Sequence, residues 1–104
     1  MHAAWVADLK RDFAEENAPT VATEFCGTSI TSQSARQDQL EAMLPDNPHV
    51  RFVDTHRGYT RMSLTPQRCV SDMRVVESVT WRAAPVRTLA SFAVENGRPG
   101  AVKA

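Results

Sequence analysis

RGYTRMSLTPQRCVSDMRVVE, Arg57 to Glu77, is the stretch that decides the fold. Gly58, Thr60, Met62 and Leu64 fall on one face and Tyr59, Arg61, Ser63 and Thr65 on the other, the period of two of a half-buried strand. After Thr65-Pro66-Gln67 the alternation resumes, with Cys69, Ser71, Met73 and Val75 together and Asp72 and Arg74 pointing away. Proline cannot donate a ladder hydrogen bond and its fixed φ suits the second position of a turn, so Pro66 marks the corner. The stretch therefore predicts a β-hairpin. It carries no chemistry of its own.

Outward from the hairpin, Val50 to Asp54 reads as a short strand leading into Thr55-His56. Val86 to Glu95 reads as a final strand with Val86, Ala90, Phe92 and Val94 inward. Asn96-Gly97 is a turn signal at its end, and the tail RPGAVKA looks polar and frayed. Val21 to Thr31 is rich in β-branched residues and reads as a strand interrupted at Gly27, where a glycine commonly marks a bulge or a close backbone approach. Ala35 to Leu44 is the clearest helix, with Leu40, Met43 and Leu44 as its apolar side, Arg36, Gln37 and Glu41 toward water, Ser32 to Ser34 as caps and Pro45 as its stop. Residues 3 to 13 are ambiguous. Trp5, Leu9 and Phe13 would make a helical stripe, Ala3, Trp5, Ala7 and Leu9 alternate as a strand, and propensity favours helix.

About five strands and one helix predict an α+β fold of mostly antiparallel strands. One helix cannot cover both faces of such a sheet, so an apolar face is expected to await a partner. The 104 residues amount to one small domain, and 12 basic residues balance 12 acidic ones. Without a basic stripe, nucleic-acid binding is not expected. No apolar run reaches the length of a membrane span, and MHAAWVADLKRDF lacks the layout of a signal peptide. Cys26 and Cys69 are expected to be buried free thiols.

Few residues suggest chemistry unaided. His2, His49 and His56 match no metal-binding spacing, and the last two are expected to be hydrogen-bonded near strand ends. Ser29 lacks a G-x-S-x-G elbow, and neither cysteine has a local base. Arg57 could bind an anion, because a guanidinium fork matches phosphate or carboxylate geometry. Trp5 and Trp81 are expected as core or interface anchors.

Several segments together say more. HAAWVADL at 2–9, VATEFCGTSITS at 21–32, NPHVRFVDTHRGYTRMSLTPQR at 47–68, RVVESV at 74–79 and APVRTLASFAVENGRPG at 84–100 resemble, in order and spacing, the C-terminal part of the alkaline phosphatase D, or PhoD-like, metallophosphatases. The resemblance implies a single partial domain over 1–104, the C-terminal fragment of a metallophosphoesterase-like α/β sandwich. It also implies that His2 matches the histidine of a Gly-Asp-Val-His-like metal motif. Met1 then falls inside that motif and its Gly-Asp half is missing, which leads to the expectation of a start site within a longer reading frame. Cys69 and Met73 stand where the family commonly has larger aromatic residues.

For the intact enzyme the resemblance implies iron and calcium, a phosphate ester substrate and, commonly, export. Gly27, Thr28 and Ser29 are expected near the site. Because most metal ligands would lie outside this chain, it is expected to hold no metal and to be inactive alone. The alternatives are a non-catalytic module offering a strand face to a complementing chain or to its own copy, and a remnant without a selected role.

Overall fold

The computed structural model describes residues 2–104, so the expectation about Met1 lies outside the described residues. Seven strands run β1 Ala4–Lys10, β2 Thr20–Cys26, β3 Val50–Asp54, β4 Arg57–Leu64, β5 Arg68–Val76, β6 Val86–Glu95 and β7 Arg98–Lys103. A short helix α1, Gln37–Glu41, and a 3-10 turn at Leu44–Asp46 lie between β2 and β3. The strands form two antiparallel sheets, one ordered β2-β1-β3 and the other the meander β4-β5-β6-β7. The α+β fold with mainly antiparallel strands and one short helix is what the alternation patterns predict.

The Arg57–Glu77 hairpin forms as expected, with Arg57 opposite Val76 and Leu64 opposite Cys69. Its corner is held by Thr65, whose amide donates to the Arg68 carbonyl at 2.9 Å and whose hydroxyl accepts from the Arg68 amide at 3.1 Å. Val6 of β1 faces Phe25 and Phe52 across its sheet, and these side chains meet Met73, Phe92 and Ala101 of the second sheet. Phe52 and Phe92 meet at 5.3 Å between ring centroids, tilted by 60°. The molecule measures 45 × 34 × 16 Å. Two sheets stacked about 10 Å apart, with side chains on their outer faces, account for the smallest dimension.

Several expectations are corrected. Residues 4–10 are a central strand, not a helix. The helical preference of Ala, Leu and Lys is worth only tenths of a kcal/mol per residue, whereas β1 has layers on both faces. Ala4 and Val6 meet the second sheet, and Ala3 and Trp5 join Leu40 and Val53 beneath α1. Phe13, the third member of the supposed stripe, is exposed.

The tail is not frayed. Asn96-Gly97 closes a hairpin rather than ending the sheet, with Gly97 at φ 75°, and Ala101 of β7 is 3% exposed. Asp8 holds that strand, accepting from the Ala101 amide at 3.3 Å and from Arg51 at 2.7 Å.

The helix is shorter than its pattern. Only Leu40 is fully buried, Met43 is exposed, and Arg36 takes the cap position without a side-chain cap bond. Gln37 does not simply face water: its amide donates to Val53 O at 3.1 Å and accepts from the Thr55 amide at 3.0 Å. Both cysteines are free, but Cys26 is exposed and Cys69 half-buried, because β2 is an edge strand and Cys69 lies near the hairpin tip. Trp81 and Val86 are exposed, and Ala93 rather than Val86 is buried on β6.

Candidate functional site

The register brings the candidate residues to one end of the three-stranded sheet. Trp5 pairs with Cys26 and Ala4 with Asp54. The approach to β1 at His2, the Gly27–Ser29 segment after β2 and the Thr55–Arg57 passage after β3 therefore leave the sheet on the same side. His2 is exposed there.

Gly27 is neither crowded nor bulged. A Cβ built on it meets nothing within 4 Å, and β2 simply stops at Cys26. The close backbone approach occurs instead at Gly58, where a Cβ would lie 1.9 Å from the Arg74 carbonyl oxygen. Gly58 also donates from its amide to Ser29 O at 3.1 Å, which ties the Gly27–Ser29 segment to the start of β4. The Ser29 hydroxyl donates to Ser32 O at 2.8 Å, and the Thr28 hydroxyl is buried without a partner.

Where the chain passes from the first sheet to the second, His56 sits between two carboxylates. Its Nδ1 is 2.7 Å from Asp54 and its Nε2 3.2 Å from Glu77. Asp54 also accepts from the His56 amide at 2.8 Å. Glu77 is gripped by Arg87, and the hydrogen bond from that guanidinium, followed by the one from His56, holds its carboxyl below the ordinary range. Arg57 is half-buried and its Nε is buried without an acceptor. A cleft of about 180 Å³ opens here, lined by Thr55, His56, Arg57, Val76 and Glu77.

His56 is thus hydrogen-bonded at a strand end, as the sequence predicts. Its partner Asp54 lies two residues before it, whereas Glu77 is 21 residues on and is brought opposite His56 only by the antiparallel β4–β5 register. His49 stacks edge-on against Phe13 at 5.0 Å. It lies toward the other end of the sheet, beside Lys10 in a groove of about 510 Å³. A second groove of about 480 Å³ lies between β2 and the two hairpin tips, reaching Val21, Leu64 and Arg98.

The PhoD-like phosphatase family model matches residues 1–73. The chain belongs to this family. It is 36% identical over 103 residues to alkaline phosphatase D of Bacillus subtilis (strain 168), spanning 96% of this chain and 18% of that protein. A solved structure described as "Structure of PhoD" superposes with a TM-score of 0.88 and 35% identity, over 98% of this chain and 20% of the other. The chain thus spans about a fifth of the length of these PhoD relatives. The family model stops at Met73, whereas the structural likeness continues through β6 and β7.

The PhoD-like resemblance implies a metal centre, and the donor set of this chain can be compared with one. Among the described residues no group of three or more His, Cys, Asp and Glu is arranged to hold a metal ion. His56, the best-placed second imidazole, already meets a carboxylate with each ring nitrogen. These residues do not by themselves fit a metal centre, which needs several donors around one ion. No helix among the described residues is long and apolar enough to cross a membrane.

Proposed function

We propose that this chain is the C-terminal part of a metal-dependent phosphoester hydrolase, contributing His2 as one metal ligand and two packed sheets as the support behind it. The reading is carried by one observation: sequence and fold agree with PhoD relatives over almost the whole chain, at 35–36% identity and a TM-score of 0.88, while covering only a fifth of their length. In the complete enzyme, iron and calcium would supply Lewis acidity and charge neutralisation at the phosphorus centre. This chain's own part is positional. β1 begins at Ala4 and is fixed on both faces with Ala3 buried before it, which keeps His2 at the sheet end, and the bond between Gly58 and Ser29 holds the neighbouring Gly27–Ser29 segment.

One imidazole cannot organise such a centre, so residues 1–104 alone are inactive in this reading and turnover requires the remaining ligands of the complete enzyme, on the same or a complementing polypeptide. Leu64, 76% exposed, and Val21, 58% exposed, offer apolar surface to such a chain or to a second copy.

The test is turnover of a chromogenic phosphate monoester and diester with iron and calcium present, by the chain alone and after mixing with the remaining portion of a PhoD relative. Turnover is expected only in the mixture, and is lost in His2→Ala. Activity of the mixture that survives His2→Ala would remove the metal role. Turnover by the chain alone would remove the need for a partner.

A further inference from the structure

We propose that Arg57, with the Thr55 hydroxyl beside it, forms a seat for a phosphoryl oxyanion at the His2 end of the sheet. This deepens the phosphoester reading and rests on it. The inference starts from what the arginines do. Arg36, Arg51, Arg61, Arg68 and Arg87 each grip a carboxylate, and Arg74 donates to the Thr88 hydroxyl. Arg74 shares a buried Nε without an acceptor and also lacks a carboxylate partner, but of these seven only Arg57 has no side-chain hydrogen bond at all among the described residues. Among the described residues it has no ion-pair partner, yet it is half-buried and its Nε has no acceptor. A buried donor without a partner is costly, and for a charged guanidinium a bound anion is the partner that satisfies the charge and the hydrogen bond together.

The surroundings suit an anion. Both nearby carboxylates are already engaged, Asp54 by the amide and ring of His56 and Glu77 by Arg87 and His56. The Thr55 amide is committed to Gln37, but its hydroxyl has no partner among the described residues and can donate. The cleft of about 180 Å³ would hold roughly six waters at ~30 Å³ each, enough for a tetrahedral anion with part of its shell. A guanidinium fork presents paired N–H groups at the spacing of two phosphoryl oxygens, which a lysine does not. The register that pairs Ala4 with Asp54 puts this seat at the same end as His2.

The experiment is a titration of the isotopically labelled chain with inorganic phosphate at fixed ionic strength, followed by backbone and arginine side-chain NMR. A saturable shift confined to Thr55–Gly58 and the Arg57 Nε–H is expected. Arg57→Gln should weaken it about tenfold or more, the loss expected when a hydrogen-bonded cation is removed from an anion. Arg57→Lys should weaken it severalfold, and Arg82→Gln, at an exposed arginine elsewhere, should leave it unchanged. Unsaturable shifts spread over the surface, or an unchanged curve in Arg57→Gln, overturn the proposal. If Arg57→Gln loses its dispersed spectrum, the wild-type Arg57 Nε–H decides: it must follow the binding curve, and a stationary resonance overturns the seat. No metal or turnover enters this measurement, so failure here leaves the role of His2 standing, and failure of His2→Ala to abolish turnover leaves phosphate binding intact.

Discussion

Gly58→Ala should be among the most damaging single-methyl additions available to this fold. The new Cβ would sit 1.9 Å from the Arg74 carbonyl oxygen and 2.9 Å from both the Arg74 carbonyl carbon and Val75 Cα. These are backbone atoms of the paired strand, so no side-chain rotation relieves the clash. Reaching even 3.0 Å from that oxygen requires the strands to part by 1.1 Å. β4 is an edge strand and can swing outward, but doing so stretches its pairing with β5 and pulls the Gly58 amide from Ser29 O. Overpacking costs about 1–3 kcal/mol and each lost backbone bond about 1 kcal/mol more, giving a total of about 3 kcal/mol. At 4–8 °C per kcal/mol for a domain of this size, Tm should fall by roughly 12–24 °C. Thermal unfolding followed by far-ultraviolet circular dichroism measures it, and amide exchange at residues 27–29 reports whether the site-end segment loosens too. A fall of less than about 4 °C would mean that the two strands are not held this close, and the account of Gly58 would be wrong.

Three further outcomes follow from the packing and the charges. Phe92→Ala removes the ring that meets Phe52 between the sheets and should cost about 3–5 kcal/mol in chemical denaturation. Ser71→Ala should be neutral or stabilising by up to about 1 kcal/mol, because the hydroxyl is fully buried without a partner; a loss above 1 kcal/mol would reveal a bond the geometry does not contain. Acid should destabilise the fold: Asp72, Glu77 and Glu95 have carboxyls lowered mainly by hydrogen bonds from Ser91, Arg87 and Arg68 respectively. A lowered folded value contributes stability above the ordinary value near 4 that disappears as pH falls through it, so Tm should drop below about pH 4 and Glu77→Gln should flatten part of that drop.

The hairpin arm at 68–76 is legible because one face, Ser71, Met73 and Val75, is buried and alternation records that directly. The strands at 50–54, 57–64 and 86–95 show in their residue types and bounding turns, although Met62, Leu64 and Val86 are exposed. β1 is not legible, because a central strand covered on both sides has no polar face to produce the alternation, and AAWVADL then satisfies two periods at once. The tail is hard to read for a related reason. Arg98, Pro99, Val102 and Lys103 are exposed, and only Ala101 is buried against the other sheet. An edge strand that contributes one small core residue leaves almost no hydrophobic trace, although Asn96-Gly97 did mark the turn that makes it. The quoted family segments single out His2 and Gly27–Ser29 by resemblance, whereas the approach of Glu77 to His56 depends on the β4–β5 register.

The crossing from the first sheet to the second explains why the two ends of the molecule differ. Within Asp54–Gly58 the chain leaves β3, receives the Gln37 clamp at Thr55, places His56 between two carboxylates, leaves Arg57 without an ion-pair partner and binds Ser29 through Gly58. Contacts from α1, the segment after β2 and the end of β5 therefore converge on five residues. At the opposite end the bonds stay at the hairpin tips, Thr65 with Arg68, Arg68 with Glu95 and the Asn96 amide with Gln67 O at 2.8 Å, while Leu64 and Val21 stay exposed. Local opening is least costly where buried contacts are few, so amide exchange should be faster at the tips than around 54–58. Chemistry that depends on fixed distances belongs at the slow end, and an association surface that can adapt to its partner belongs at the fast one. Faster exchange at 54–58 than at 64–67 would reverse that assignment.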